Sequence, residues 1–245
     1  LMKIRQEVMV GVLAVDLLCA LASIVIFSIN IAKGVTPLWS VIFAACTVVA
    51  YIGLFFVCNF KVLSPGANDN LTGVFVAVSA LKCLKESGIR YENTEVCALL
   101  TGSEEAGLRG ATAFTKRHKG ENKDVETYII AFDTMRDYDY MTIYHRDMTG
   151  MVKNSPEVVA LLDEACNDPD VNHPLPHGVV PFGASDAAAF SRGGFKAAAV
   201  AGQNPKYAPY YHNRRDTPDQ MIPETFALGL DIALAAIEAF DRDQK

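Results

Sequence analysis

Several apolar segments of the chain end in side chains that could bind a metal ion. These side chains are Asp69, Glu104, Glu105, Asp133 and His212. Each ends an apolar segment or lies in a polar turn just beyond one. Carboxylate oxygens together with an imidazole nitrogen are donors that suit zinc. The pattern therefore predicts a metal site assembled from separate parts of the chain, of the kind that a two-metal hydrolase uses.

The elements that must position these side chains alternate between helix-like and strand-like stretches. Apolar spacing and turn residues predict helices over residues 71–85, 105–117, 156–166 and 223–240 and strands over residues 96–101, 127–132 and 195–201. This alternation favours an α/β fold in which a mostly parallel central sheet is flanked by helices. Ligands of such sheets gather beyond the carboxyl ends of the strands, so Glu104, Glu105 and Asp133 are expected to converge.

The adjacent Glu104 and Glu105 allow two interpretations. Two carboxylates at the start of a helix often serve only as favourable charges near the helix dipole. The apolar strand predicted before them favours a site, in which one glutamate binds metal and the other accepts a proton from the reacting water. Asp133 alone would be a turn residue and His212 alone a surface histidine. The metal-site prediction therefore depends on the combination.

The first sixty residues differ from the rest because they carry almost no charge. Residues 34–60 have no formal charge, and Asp16 is the one charged residue from 8 to 32. Each run is longer than the roughly 20 residues that cross a bilayer core. We predict a transmembrane hairpin in residues 1–61, with helices at about 8–30 and 36–59, and one globular domain in residues 62–245. The alternatives are a signal peptide and a buried core helix.

The charge distribution restricts the partners of the protein. Positions 1–61 contain four basic and two acidic residues, which leaves 18 basic against 26 acidic residues in positions 62–245. Such an acidic domain argues against a nucleic acid as partner. A hairpin would place Lys3, Arg5 and Lys61 on one face of the lipid bilayer. The positive-inside tendency then predicts an integral membrane protein whose globular domain faces the cytoplasm.

Taken together, the motifs resemble those of the co-catalytic zinc aminopeptidases of metallopeptidase family twenty-eight, relatives of glutamate carboxypeptidase II, transferrin receptor and glutaminyl cyclase. The resemblance covers about residues 64–240, and its motifs are specific jointly rather than singly. In chain order they are Pro65-Gly66-Ala67-Asn68-Asp69-Asn70 with Gly73, Glu104-Glu105 with Gly107 and Gly110, Asp133, Gly183-Ala184-Ser185-Asp186 with Phe190 and Gly194, and His212 with Asp216-Thr217.

The resemblance implies a zinc-peptidase fold and a role for each candidate ligand. Asp69 would bridge two zinc ions, Glu105 and His212 would complete one zinc, Asp133 would bind the other, and Glu104 would be the general base. By the same resemblance, the Asp69–Asn70 peptide bond would be cis.

Three further residues take roles from the resemblance. Asp186 and Asp216 would be supporting residues, for which helix capping and turn formation are sufficient structural explanations. Tyr211 precedes the ligand His212 and is the candidate for contact with the substrate carbonyl or the oxyanion. Phe182 stands where some relatives have a tyrosine.

One element of the family pattern is missing. The family carries a His-x-Asp element before the bridging aspartate, and its histidine is the last ligand of the second zinc, but no histidine precedes His118 here. We expect the sequence to be a fragment, in which the hairpin is inserted between the histidine-bearing strand and the Asp69 loop. A degenerate or single-zinc protein is the alternative. The retained ligands and Glu104 favour the fragment.

These observations predict a membrane-anchored zinc exopeptidase, with an aminopeptidase as the leading activity and a peptide or aminoacyl compound as substrate. Two zinc ions are expected in the complete protein, and one of them is expected to bind firmly to this chain. The alternatives are a noncatalytic membrane scaffold or receptor-like protein that keeps the fold, and a single-zinc acyltransferase of the glutaminyl cyclase kind.

Overall fold

The chain folds into two compact units, Leu1–Leu63 and Ser64–Lys245. The structure is a computed structural model that describes residues 6–35, 37–57, 63–120, 124–206 and 208–244. Residues 36, 58 and 59 of the predicted second transmembrane helix lie outside the described residues.

The first unit contains two long helices, α1 (Gln6–Ala32) and α2 (Leu38–Val57). Small and polar side chains are buried between them, and Ser23 Oγ lies 3.1 Å from Thr47 Oγ1 in a hydrogen bond that joins the helices. Large apolar side chains such as Leu18 and Ile24 point outward. Within the described residues, one helical segment, Ala14–Ala32, is long and apolar enough to cross a membrane.

The second unit is a sheet with helices on both faces. Its elements are α3 (Thr72–Ser87), α4 (Arg109–His118), β1 (Tyr128–Met135), β2 (Met141–Asp147), β3 (Val152–Lys153), α5 (Pro156–Cys166), β4 (His177–Val179), α6 (Asp186–Gly193), β5 (Lys196–Gly202) and α7 (Pro223–Asp243). The predicted α/β fold with a sheet flanked by helices is confirmed. The structure contains three of the predicted helices, those at 71–85, 156–166 and 223–240, and two of the predicted strands, those at 127–132 and 195–201. Each lies within three residues of its expected bounds.

The sheet is mixed rather than mostly parallel. Its strand order is β1-β5-β2-β3, and β4 pairs with β2. The pairs β1–β5 and β2–β4 are parallel, whereas β2 runs antiparallel to β5 and to β3. Residues 136–140 connect β1 to β2, and so short a connection cannot hold the crossover that parallel strands require. The chain therefore reverses direction after β1.

Alternate side chains of β5 belong to different layers of the core. Ala198 and Val200 pack with side chains of α3, α5 and α7, whereas Ala197 and Ala199 pack with side chains of α4 and α6. This separation follows from the two-residue period of a strand, whose successive side chains point to opposite faces of the sheet. The sheet therefore lies between the two core clusters. Because β1 and β5 are parallel neighbours in this sheet, their carboxyl ends lie at the same edge.

Two predicted elements differ from the structure. Residues 96–101 are described but form no strand, and Leu99 and Leu100 expose 42% and 55% of their surface. Their apolar sequence suits a strand, but a strand also needs a hydrogen-bonding neighbour, and this segment pairs with no described strand. The helix predicted from residue 105 begins at Arg109 instead. The left-handed backbone of Gly107 (φ 95°) and Leu108 (φ 55°) interrupts it, so both glutamates lie in a turn.

Candidate metal centre

The Asp69 loop is held in place by a buried carboxylate from a distant part of the chain. Asp216 accepts hydrogen bonds from the backbone N–H of Asn68 (2.8 Å), the Asn68 Nδ2 (2.6 Å) and the backbone N–H of Asp69 (3.0 Å). Asp216 is fully buried, so these three donors replace the water that it would otherwise bind. The peptide bond between Asp69 and Asn70 is cis, as predicted. Asp216 thus fixes the backbone on which Asp69 stands.

Asn70 fastens the same loop to the end of β1. Its Oδ1 accepts hydrogen bonds from the backbone N–H groups of Gly73 (3.0 Å) and Thr134 (3.1 Å), and its Nδ2 donates to the carbonyl oxygen of Phe132 (2.9 Å). Gly73 is required for this approach because a Cβ there would lie 2.0 Å from the Phe132 oxygen. Since Asp133 lies between Phe132 and Thr134, these bonds bring Asp69 and Asp133 to one place.

The turn that carries the glutamates is closed by its own backbone. The N–H groups of Gly107 and Leu108 donate to the carbonyl oxygen of Glu104 at 2.9 and 2.8 Å. Gly110 N donates to the carbonyl oxygen of Gly102 at 2.9 Å, and a Cβ on Gly110 would meet that oxygen at 2.4 Å. The close contact explains why a glycine stands at the start of α4. It also anchors the glutamate turn to the segment before it.

His212 lies in the loop after β5. Its backbone is left-handed (φ 54°), and the Tyr211 ring stacks on its imidazole with a centroid distance of 3.8 Å and an interplanar angle of 20°. Asn213 Nδ2 donates to the carbonyl oxygens of Pro209 (3.0 Å) and Tyr211 (2.9 Å), which stabilises the turn. The stacked pair directs the His212 ring toward the carboxylates.

Three of the four predicted ligands converge closely. His212 Nε2 lies 3.1 Å from Asp69 Oδ2 and 3.2 Å from Glu105 Oε1, and one ligand atom from each residue lies within 4.8 Å of the others. Asp133 and Glu104 line the same cavity of about 700 Å³, together with Tyr211. Asp133 stands outside the compact group of three. No two of the predicted site residues are separated by the sheet.

Burial and the charges of neighbouring carboxylates raise the pKa values of two carboxyl groups of the site. Burial, followed by the charges of Asp133 and Glu105, raises the pKa of Glu104 to about 8. Burial and the charge of Asp69 raise the pKa of Asp133 to about 7. Burial disfavours a charged His212, but hydrogen bonds to Asp69 and Glu105 outweigh it and raise the His212 pKa to about 10. A divalent cation among these groups would relieve the repulsion.

The donor set fits zinc. Zinc is usually tetrahedral with bonds of about 2.1 Å, so two of its ligand atoms lie about 3.4 Å apart. The separations of 3.1 and 3.2 Å from His212 Nε2 to Asp69 and Glu105 are close to that value. Two carboxylates and one imidazole also leave a fourth position for water or substrate, as in a catalytic zinc site.

Other residues around the cavity were missing from the sequence prediction. They include Leu108, Lys116, Met148 and Arg192. These apolar and basic residues are isolated in the sequence and form no motif, so the sequence alone did not identify them as residues of the cavity. Asp186 was expected only in a supporting role, and it accepts a hydrogen bond from the Thr101 hydroxyl.

The sequence profile described as peptidase family M28 matches residues 52–237, about three quarters of the chain. The chain belongs to peptidase family M28. The predicted resemblance is therefore confirmed, and zinc is the metal expected in this family member. Among proteins with curated descriptions, none matches the chain significantly.

Several solved structures share the fold. An aminopeptidase from Aneurinibacillus sp. strain AM-1 matches with a TM-score of 0.59 and 25% identity over 71% of this chain and 39% of its own. A zinc aminopeptidase from Bacillus subtilis matches with a TM-score of 0.59 and 21% identity, over 71% of this chain and 42% of its own. A glutaminyl cyclase from an Acidobacteriales bacterium matches with a TM-score of 0.54 and 16% identity, over 73% of this chain and 63% of its own. This M28 chain thus spans less than half the length of either aminopeptidase.

Proposed function

We propose that the protein is a membrane-anchored zinc exopeptidase, and specifically an aminopeptidase. The observation that carries this proposal is the convergence of Asp69, Glu105 and His212 beside Glu104 in one cavity. A scaffold without catalytic activity would have no need for this set of ligands. Family membership and the likeness to two aminopeptidases support the same activity.

The ligand geometry supports one complete metal site and one incomplete site. Asp69, Glu105 and His212 would hold the first zinc, and Asp69 and Asp133 would hold the second. Zinc at this position supplies a polarised carbonyl and a bound water of lowered pKa. Three protein ligands suit a catalytic zinc, whereas two carboxylates bind one poorly. We therefore expect this chain to bind one zinc firmly and a second zinc weakly.

Glu104 and Tyr211 would act on the substrate itself. Glu104 lines the cavity and belongs to neither proposed ligand set, so it can accept a proton from the attacking water and pass it to the leaving amine. The Tyr211 hydroxyl can donate a hydrogen bond to the carbonyl oxygen as negative charge develops on it. The carboxylates around this cavity also favour a substrate with a free, positively charged α-amino group. That preference would make the enzyme an exopeptidase.

The substitution Glu104→Gln tests this division of roles. In catalytically active protein the substitution should lower the turnover of an aminoacyl amide by about 10²- to 10⁴-fold, since it removes the base, while bound zinc stays unchanged. Glu92→Gln is the control, because Glu92 is exposed and does not line the cavity. Loss of zinc or full activity in the Glu104 variant would contradict the assignment. Release of ammonia from an N-terminal glutamine would instead identify a glutaminyl cyclase.

Metal titration of this chain tests the two proposed zinc sites. Equilibrium dialysis should find one zinc per chain at low free zinc and a second only at much higher concentration. Asp133→Asn should remove the weak site and leave the firm one, because Asp133 stands outside the compact group of three. Two equally tight zinc ions in the unchanged chain would contradict the proposal.

The helices of the first unit support a membrane anchor. Small and polar side chains lie between the helices, and large apolar side chains point outward. Membrane helices pack in this way because lipid, unlike water, solvates apolar side chains. The protein should therefore stay with membranes during alkaline extraction. In sealed vesicles, protease should cut the second unit only from the cytoplasmic side, as the charge distribution predicts.

A further inference from the structure

The cavity that holds the candidate zinc ligands also contains positive charge. Its wall includes the basic side chains of Lys116, Lys119 and Arg192, which we name the cation group. The same wall includes apolar side chains, among them Leu108 and Met148. A substrate in this cavity would therefore meet carboxylates, apolar surface and cations together. The roles assigned to the zinc ligands and to Glu104 leave the cation group unexplained.

Two of these cations stand next to a close contact between two helices. Thr115 of α4 lies so close to Gly193 of α6 that a Cβ on Gly193 would meet the Thr115 Cβ at 2.6 Å. Lys116 follows Thr115 and Arg192 precedes Gly193, so both cations flank the same helix contact. Lys119 comes directly after α4 ends. The grouping results from the fold and is not a local feature of the sequence.

The cation group is free to bind an anion. Across residues 63–120, 124–206 and 208–244, none of the ion pairs includes Lys116, Lys119 or Arg192. Arg192 Nη1 contacts the sulfur of Met148 at 3.8 Å, which is a weak contact for a guanidinium. All three side chains are exposed. A carboxylate entering the cavity would therefore meet cations that no protein carboxylate neutralises.

We propose that the cation group binds a carboxylate of the substrate, so that the enzyme prefers peptides that carry one near the scissile bond. This inference rests on the proposed peptidase function. The cation group lines the same cavity of about 700 Å³ as the zinc ligands. An extended peptide spans about 3.3–3.6 Å per residue, so a bound peptide of a few residues can reach from the zinc ligands to the cation group. Two carboxylates are within such a reach, the side chain of an acidic residue and the C-terminal carboxylate of a short peptide.

Two matched pairs of peptides distinguish these sources. Binding to the zinc-loaded Glu104→Gln protein is measured by calorimetry, because this variant should bind substrate without consuming it. Ala-Ala-Ala against its C-terminal amide tests the terminal carboxylate, and Ala-Glu-Ala amide against Ala-Gln-Ala amide tests an acidic side chain. We expect at least one carboxylate peptide to bind about three- to tenfold more tightly than its neutral partner, the range for exposed, screened charges.

Substitutions in the cation group give the decisive comparison. Lys116→Gln combined with Arg192→Gln should remove most of the preference, since only Lys119 of the cation group remains, and should leave the binding of neutral peptides unchanged. Arg117→Gln is the matched control, since Arg117 is exposed on the same helix but does not line the cavity. The preference should also weaken as ionic strength rises. Persistence of the full preference in the double variant, or equal binding within both pairs, would overturn the inference. If no peptide binds at all, the peptidase function itself fails.

Discussion

The two units of the chain bury opposite kinds of side chain. In the first unit, Ser23 and Thr47 are buried between helices, and Leu18 exposes 65% of its surface. In the second unit, residues such as Ile143 and Leu162 are fully buried in the core. Burial of apolar surface stabilises a fold in water, but it gives helices no such advantage in lipid. The two units thus differ in packing as expected if the first unit is the proposed membrane anchor and the second folds in water.

The largest effect should come from the support of the Asp69 loop. Asp216→Ala would leave three buried or partly buried N–H donors without their acceptor, at a cost of roughly 4 kcal/mol in the free energy of unfolding. Zinc affinity should fall as well, because Asp69 loses its fixed position. Chemical denaturation and zinc titration measure the two effects. Asp219→Ala, on an exposed side chain nearby, should change stability by less than about 0.5 kcal/mol.

The same substitution at two exposed leucines, one in each unit, tests the comparison between the units directly. Leu18→Lys should disfavour membrane insertion by about 3 kcal/mol, since lipid cannot solvate the ammonium group. Leu100→Lys, at a leucine that exposes 55% of its surface, should alter stability by less than about 0.5 kcal/mol. The fraction of protein recovered in membranes measures the first effect. Equal effects of the two substitutions would remove the distinction between the solvents.

Removal of zinc should destabilise the second unit alone. At free zinc of about 100 times the dissociation constant, binding stabilises a folded unit by about 2.7 kcal/mol. A chelator should therefore lower the Tm of the second unit by roughly 5–10 °C. The Asp69→Ala protein should show no such dependence on zinc. A shift in that variant would mean that the metal acts elsewhere.

The smallest effect is expected between the helices of the first unit. Ser23→Ala breaks the hydrogen bond to Thr47, and such bonds in membrane helices contribute about 0.6 kcal/mol. Thermal unfolding in detergent micelles can detect this loss. Ser28→Ala is the control, because the exposed Ser28 hydroxyl bonds only to Ile24 of its own helix. A larger effect at Ser28 than at Ser23 would argue against the helix contact.

The sequence predicts elements whose signals are local. The helix over residues 156–166 is found at its predicted bounds because Ser155 caps it, accepting a hydrogen bond from Val158 N, and Pro156 starts it. The segment 96–101 has an equally apolar sequence, but its state depends on a pairing partner that local sequence does not specify. The strands β3 and β4 contain two and three residues and were not predicted, since so few residues carry their pattern. The seven-residue β2 was not predicted either, because its last three residues, His145, Arg146 and Asp147, are polar and hide its apolar alternation.

The candidate site also combines features that local sequence indicates with features that depend on tertiary contacts. Acidic and imidazole residues at the ends of apolar segments are visible in sequence, so Asp69, Glu105, Asp133 and His212 could be named as candidate ligands. The hydrogen bonds that hold them, such as those from Asn70 to both sides of Asp133, depend on contacts more than sixty residues apart in the chain. The cation group likewise depends on the close packing of α4 against α6. Residue types predict the chemistry, and tertiary packing decides which further side chains reach it.

The position of β1 in the sheet has a consequence for the colloidal behaviour of the protein. Among the described strands, β1 pairs only with β5. Asn70 covers the end of its outer edge at Phe132 and Thr134, and the part of the edge before Phe132 has no partner strand among those described. Residues 128–132, Tyr-Ile-Ile-Ala-Phe, carry no charge that would repel such a neighbour. We therefore expect this part of the edge to limit the solubility of the protein, and a charged residue placed there should raise the concentration at which molecules begin to associate.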